Sequence, residues 1–185
     1  LPIATAHWRF TRGVALAALG RVDEAKAEQV AFAEASMNIT EKMIVGNNTA
    51  KHVNSIARNM LDGEILYREG KIDESVARLR EAARLEDELK YDEAPDWIQP
   101  ARYTLGAVLL GAGRAAEAEA AYREDLAKNP ENGWSLFGLA KCLRAREAEA
   151  RSLGNAAAAR ALGTAATEAE GWRAKAWSRA DVTIH

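Results

Sequence analysis

The chain has 185 residues, with 25 Lys or Arg, 27 Asp or Glu and a formal net charge of −2. That length is one domain's worth and enough for a real core; the near-neutral balance argues against a nucleic-acid footprint, which needs a basic patch. No apolar run approaches the roughly 20 residues that span a membrane. Alanine, leucine, glutamate and arginine dominate and proline is absent between Pro2 and Pro95, a composition that predicts an all-α fold.

The first predicted helical pair covers about residues 4–36. Trp8, Ala15, Leu16 and Leu19 give its first helix an inward stripe, with Arg12 standing where a leucine is expected. Gly20 makes the turn. A second helix starts near Val22, with Asp23 and Glu24 at its positive end and Ala25, Val30 and Phe32 for packing. Residues 37–50 exceed what a minimal pair needs. Met37, Ile39, Met43, Ile44 and Val45 are apolar and Gly46-Asn47-Asn48 breaks the chain, which predicts an extended helix or extra turn and then a loop.

A second pair is predicted over about 49–89. Ile56, Met60, Ile65, Leu66 and Tyr67 lie in its first helix, and Ile72, Val76, Leu79, Ala83 and Leu85 in its second. Asp62 precedes Gly63, another departure from a leucine–glycine pair. Tyr91 to Trp97 reads as a loop, because Pro95 bars a helix there, and Asp96 is a candidate N-cap for a helix starting at Trp97. The third pair, about 97–130, has the clearest pattern. Trp97, Ala101, Leu105, Val108, Leu109 and Ala112 form one stripe, Gly113 suits the left-handed position past a helix end, and Ala118, Ala121, Tyr122 and Leu126 form the stripe of the second helix. Asn129-Pro130 ends it. Gly106, in mid-helix, costs about 1 kcal/mol relative to alanine, which a close crossing by the second helix would repay.

The last predicted segment is about 132–180. Trp134, Leu136, Phe137, Leu139, Ala140 and Leu143 open a helix, after which residues 144–160 are nearly all alanine, arginine and glutamate, with Gly154-Asn155 as a break. Gly163 and Gly171 punctuate the remainder. A closing helix with Ala169, Trp172 and Ala176 on one face is expected to cap the open apolar end, and 180–185 has no helical pattern. Leu1-Pro2, with neither an initiator methionine nor a signal peptide, suggests a cut from a longer chain. The compartment is left open by this, with the cytoplasm favoured.

Three short phrases echo one another: Gly20-Arg-Val-Asp-Glu-Ala25, Gly70-Lys-Ile-Asp-Glu-Ser75 and Gly113-Arg-Ala-Ala-Glu-Ala118. Seven residues before each turn glycine stands another, at Gly13, Gly63 and Gly106. With Leu105-Gly106, Leu109, Gly113, Ala118, Tyr122 and Pro130, this pattern resembles the tetratricopeptide repeat, a helix pair of about 34 residues. The resemblance implies a single-domain, right-handed α-solenoid of about three full repeats and a C-terminal helical cap. Tyr91 to Trp97, Tyr122 to Ala140 and Ala176 to Ile184 further resemble one bacterial branch of that family, of which this chain would be the C-terminal end. The stretch from Arg146 to Gly171 departs from the branch and reads as an alanine-rich insertion where a compact second helix is expected.

Little in the residues suggests chemistry. His7, His52 and His185 lack metal-ligand spacing and Cys142 has no cysteine partner. Neither a Gly-x-Ser-x-Gly elbow nor a phosphate loop occurs. The expectation is therefore a non-enzymatic module, with no cofactor or metal, that binds or scaffolds a protein or peptide. In repeats of this family the first helices line a groove. Its candidate contacts here are Phe10, Val14, Tyr103, Phe137 and Lys141, with His7 and Trp134 near the edge. Alternatively, Phe10 and Phe137 complete the core, or the C-terminal helix folds back and fills the groove. Lys141 stands nearly alone among the cations that a carboxylate clamp requires. A second functional reading is a fixed structural piece of a larger assembly, held by apolar helix faces.

Overall fold

Eight helices and one two-stranded hairpin make up residues 1–180, which are the residues the computed structural model describes; the tail after Ala180, with His185, lies outside them. The fold is all-α. In chain order the helices are α1 (Pro2–Ala18), α2 (Val22–Ser36), α3 (Ala50–Arg68), α4 (Ile72–Asp87), α5 (Ala101–Gly111), α6 (Ala115–Lys128), α7 (Gly133–Ser152) and α8 (Ala156–Ala176). The strands are β1 (Ile44–Val45) and β2 (Asn48–Thr49). The chain divides into two compact units, the first ending at Ala101 and the second beginning at Arg102.

One local device makes the hairpins. Gly20, Gly70, Gly113 and Gly154 all have positive φ, between 71° and 77°, and each follows a helix end. Beyond each, the next residue's N–H reaches back to the carbonyl five residues earlier: Arg21 to Leu16, Lys71 to Leu66, Arg114 to Leu109 and Asn155 to Ala150, at 2.8–2.9 Å. This is the Schellman closure, which satisfies carbonyls left over at a helix end and needs a residue without a Cβ at the left-handed position. The three echoed phrases predict three of these turns, and Gly154-Asn155 supplies a fourth.

The mid-helix glycines are packing devices. A Cβ on Gly13 would fall 2.8 Å from Leu61 Cδ1, one on Gly63 2.7 Å from Leu79 Cγ, and one on Gly106 2.6 Å from Tyr122 Cζ. Glycine therefore lets the neighbouring helix approach closely. Where Arg12 and Asp62 replace the expected leucine, polar contacts take over. Arg12 bonds Glu28 at 2.6 Å, and Asp62 accepts from Gln29 at 2.7 Å.

In the first unit α1 packs on α2 and α3, and α3 on α4. Phe32, Val53, Ile56, Leu61 and Leu79 are fully buried between them. In the second unit α7 packs on both α6 and α8, burying Tyr122, Leu136, Leu139, Cys142 and Leu143.

Three expectations are corrected. Of the two alternatives for 37–50 the extended helix is excluded: α2 ends at Ser36, short turns follow, and a hairpin stands in place of the loop. β1 pairs antiparallel with β2, with Ile44 opposite Thr49 and Val45 opposite Asn48. Gly46, at φ +51°, opens the two-residue loop, the placement that a type II′ hairpin favours, and the branched Ile44, Val45 and Thr49 suit a strand. Trp97 does not begin a helix, and Asp96 is not an N-cap. Pro100 pushes its predecessor out of helical geometry, so α5 starts at Ala101, whose N–H donates to Glu86 Oε2 at 2.8 Å. Finally, the alanine-rich stretch is helical and is not punctuated at Gly163 or Gly171. It lengthens α7 and fills α8, which runs unbroken through Gly163 and Gly171. Alanine's helix propensity carries two glycines that cost about 1 kcal/mol each, and Arg144 ties the two helices through Glu170 and Thr167, at 2.9 and 3.1 Å.

Candidate functional site

The residues proposed from sequence as groove contacts fall into two groups, one in each unit. On α1, His7, Phe10 and Val14 follow at i, i+3 and i+7 and so share a face. Trp97 covers that face. Its ring centroid lies 5.5 Å from that of Phe10 and 6.1 Å from that of His7, edge-on to the imidazole. Phe10 and Trp97 are both buried, and Val14 is half-buried. The Nε2 atom of His7 is enclosed without a hydrogen-bond partner, and burial lowers the imidazole's pKa.

The segment carrying Trp97 is held by the β hairpin. Asn48 donates through Nδ2 to the Lys90 carbonyl (3.1 Å) and to Asp96 (2.7 Å), and accepts the Lys90 N–H at 2.9 Å. Asn47 bonds Asp92 and the Tyr91 carbonyl. A side chain on Gly46 would collide with Asp92 and Asp96 oxygens, 2.1 Å from its Cβ. Gly46-Asn47-Asn48 therefore acts as a clasp, whereas the sequence suggested only a chain break.

On α7, Trp134, Phe137 and Lys141 repeat the same i, i+3, i+7 spacing. Here the covering residue is Trp177, just past the end of α8. It meets Trp134 edge-on at 5.3 Å and lies tilted by 31° to Phe137 at 6.4 Å. Its indole rests on the bare backbone of Gly133, where a Cβ would stand 1.9 Å from Nε1. Lys141 Nζ sits 4.3 Å above the centre of the Phe137 ring and Arg173 Cζ lies 5.5 Å from it, both within cation–π range. Trp134 and Lys141 are exposed and Phe137 is half-buried. Tyr103 is half-buried on α5.

Two further features stand out in the second unit. Asp125, almost fully buried, accepts from Ser135 Oγ at 2.6 Å, Asn132 Nδ2 at 2.8 Å and Asn129 Nδ2 at 3.1 Å. It ties the end of α6 to the start of α7, and an aspartate at an apolar stripe position was its only signal. The second is an apolar groove of about 370 Å³ between α6 and α8 over α7, lined by Leu126, Pro130, Leu136, Leu143, Ala169 and the exposed Trp172. The corresponding cleft between α2 and α4, about 550 Å³, is lined instead by polar side chains such as Lys26, Gln29, Asp62, Glu74 and Arg78.

Among the described residues, no group of three or more His, Cys, Asp or Glu side chains could hold a metal ion, and no helix is long and apolar enough to cross a membrane. What the fold defines is an all-α protein of helical-repeat-like hairpins. No protein-family model, curated protein or solved structure matches the chain.

Proposed function

We propose that this chain is a non-enzymatic helical-repeat module that binds a protein or peptide through the aromatic face of a first helix. The carrying observation is that the α7 face of Trp134, Phe137 and Lys141 already accommodates an indole, that of Trp177, against Gly133. A surface that holds a rigid aromatic in this way can present the anchor pocket that dominates many protein interfaces. The threefold glycine echo and the likeness to tetratricopeptide repeats support the same reading, since such repeats recognise peptides along their first helices.

The test is a peptide array probed with the parent chain and with Phe137→Glu, helix content being checked by circular dichroism. Sequences retained by the parent and lost by the folded variant support the reading. Binding that is equal for both removes the α7 face from it.

One observation favours a second reading, a fixed piece of a larger assembly. The apolar groove bordered by Trp172, which is 66% exposed, is the kind of surface that is covered in assemblies. Under that reading the isolated chain self-associates with rising concentration and Trp172→Glu abolishes the association, as light scattering would record.

A further inference from the structure

Both aromatic faces are covered in cis, but by different means. Trp97 is buried and its segment is clasped by side-chain and backbone hydrogen bonds from the β hairpin. Trp177 is only half-buried and stands just beyond the last turn of α8, where Ser178 and Ala180 make only short-range backbone bonds to Lys175 and Trp177. It is held by ring contacts and by its seat on Gly133. The first cover is built in, and the second is one that a competing ring could lift.

The charges nearest the Phe137 ring are cationic, with Glu131 and Glu170 as the acidic residues further out. Lys141 and Arg173 both lie over Phe137. The segment 171–180 that carries the cover contains Arg173, Lys175 and Arg179 and no acidic residue. None of these four cations has an ion-pair partner within 4 Å among the described residues. By contrast, Arg144, one turn further along α7, is engaged by Glu147 and Glu170.

Resting on the function proposed above, we infer that Trp177 is a cis-acting plug in the α7 binding face, and that the partner is an acidic segment carrying a tryptophan that takes its place. The seat is shaped for an indole: bare backbone at Gly133, an edge-on wall at Trp134 and a tilted ring at Phe137. The flanking cations select acidic neighbours on the incoming chain. The plug lowers apparent affinity by the fraction of molecules in which it is lifted, so its removal tightens binding without adding a contact.

The experiment uses the full 185-residue chain and two fluorescein-labelled synthetic peptides, with cores Glu-Asp-Trp-Glu-Asp and Lys-Arg-Trp-Lys-Arg. Affinities come from fluorescence anisotropy. Trp177→Ala is expected to bind the acidic peptide about tenfold or more tightly than the parent, and the basic peptide far more weakly. Gly133→Ala places a methyl where the indole must lie, so it is expected to show no gain, although it too dislodges Trp177.

Equal affinity of parent and Trp177→Ala for the acidic peptide overturns the plug and leaves the binding face intact. Equal binding of acidic and basic peptides overturns the partner's chemistry while the face and the plug stand. If Trp177→Ala keeps its helix content and binds neither these peptides nor any array sequence, the plug and the proposed function fall together.

Discussion

The phenol ring of Tyr122 lies directly on the backbone of Gly138, where a Cβ would stand 2.1 Å from Cζ. The same ring also meets Gly106 from α5, so one side chain of α6 fills the gap between two helices that both give up a side chain to admit it. Gly138→Ala gains about 1 kcal/mol of helix propensity but forces a ring that has nowhere to go, an overpacking cost of roughly 1–3 kcal/mol. Net destabilisation is expected, and urea unfolding measures it. Gly171→Ala is the control: nothing lies within 4 Å of its added methyl, so it should stabilise by up to about 1 kcal/mol.

Glu28 is buried and is shared by Arg9 and Arg12, at 3.1 and 2.6 Å. Both arginines are partly exposed, so the pair falls well short of a fully buried one. Arg12→Leu is expected to cost about 1 kcal/mol in the parent and close to nothing in a Glu28→Leu background. A double-mutant cycle that returns no coupling would show that Arg12 contributes only its aliphatic stem.

The imidazole of His7 is held neutral by burial, with its pKa below the usual 6.5. The unfolded chain therefore binds a proton at a pH where the folded chain does not. Stability contributed by this site is full above pH 6.5 and declines as pH falls from there toward the lowered folded value. Unfolding free energies measured between pH 5 and 7.5 should fall in acid. The slope should be shallower in His7→Leu, and persistence of the full slope in that variant would assign it to other groups.

Cys142 is buried on α7, and its thiol pKa is pushed up to about 12, by burial first and by nearby Glu119 second. At pH 8 the native protein should hardly react with iodoacetamide, and label should appear at the rate of unfolding as denaturant is added. Rapid labelling in the native state would mean that α7 opens locally at that point.

Where structure was set by neighbours in sequence, it was legible. Gly20, Gly70 and Gly113 carry the turn chemistry in their own phrases, and the apolar periods on either side place the helices to within a residue or two, the start of α5 excepted. Gly106 could be read as a close-packing site because a mid-helix glycine needs a reason. The failures share a different cause. Trp97 looks like a stripe residue for the helix that follows it, but its partners, His7 and Phe10, lie some ninety residues earlier. Asn48 looks like part of a break until Lys90 and Asp96 are brought beside it. Gly163 and Gly171 look like interruptions only while the alanines around them are discounted. The aromatic residues of α1 and α7 could be singled out by spacing, and a fold-back of the C-terminal helix was among the alternatives, whereas Trp97 as the cover of α1 was not, because no local pattern records a long-range contact.

The four turn glycines leave one more mark on this molecule. At each of them a side chain would meet nothing within 4 Å, so every hairpin ends in an open corner that supports no other part of the core. A gene encoding such a chain can lengthen or shorten the arms of one hairpin at its corner without meeting a packed side chain there. The contrast between the 11-residue α5 and the 21-residue α8 is what that freedom permits: modules of one design whose arms grow independently, while the corners that define them stay the same.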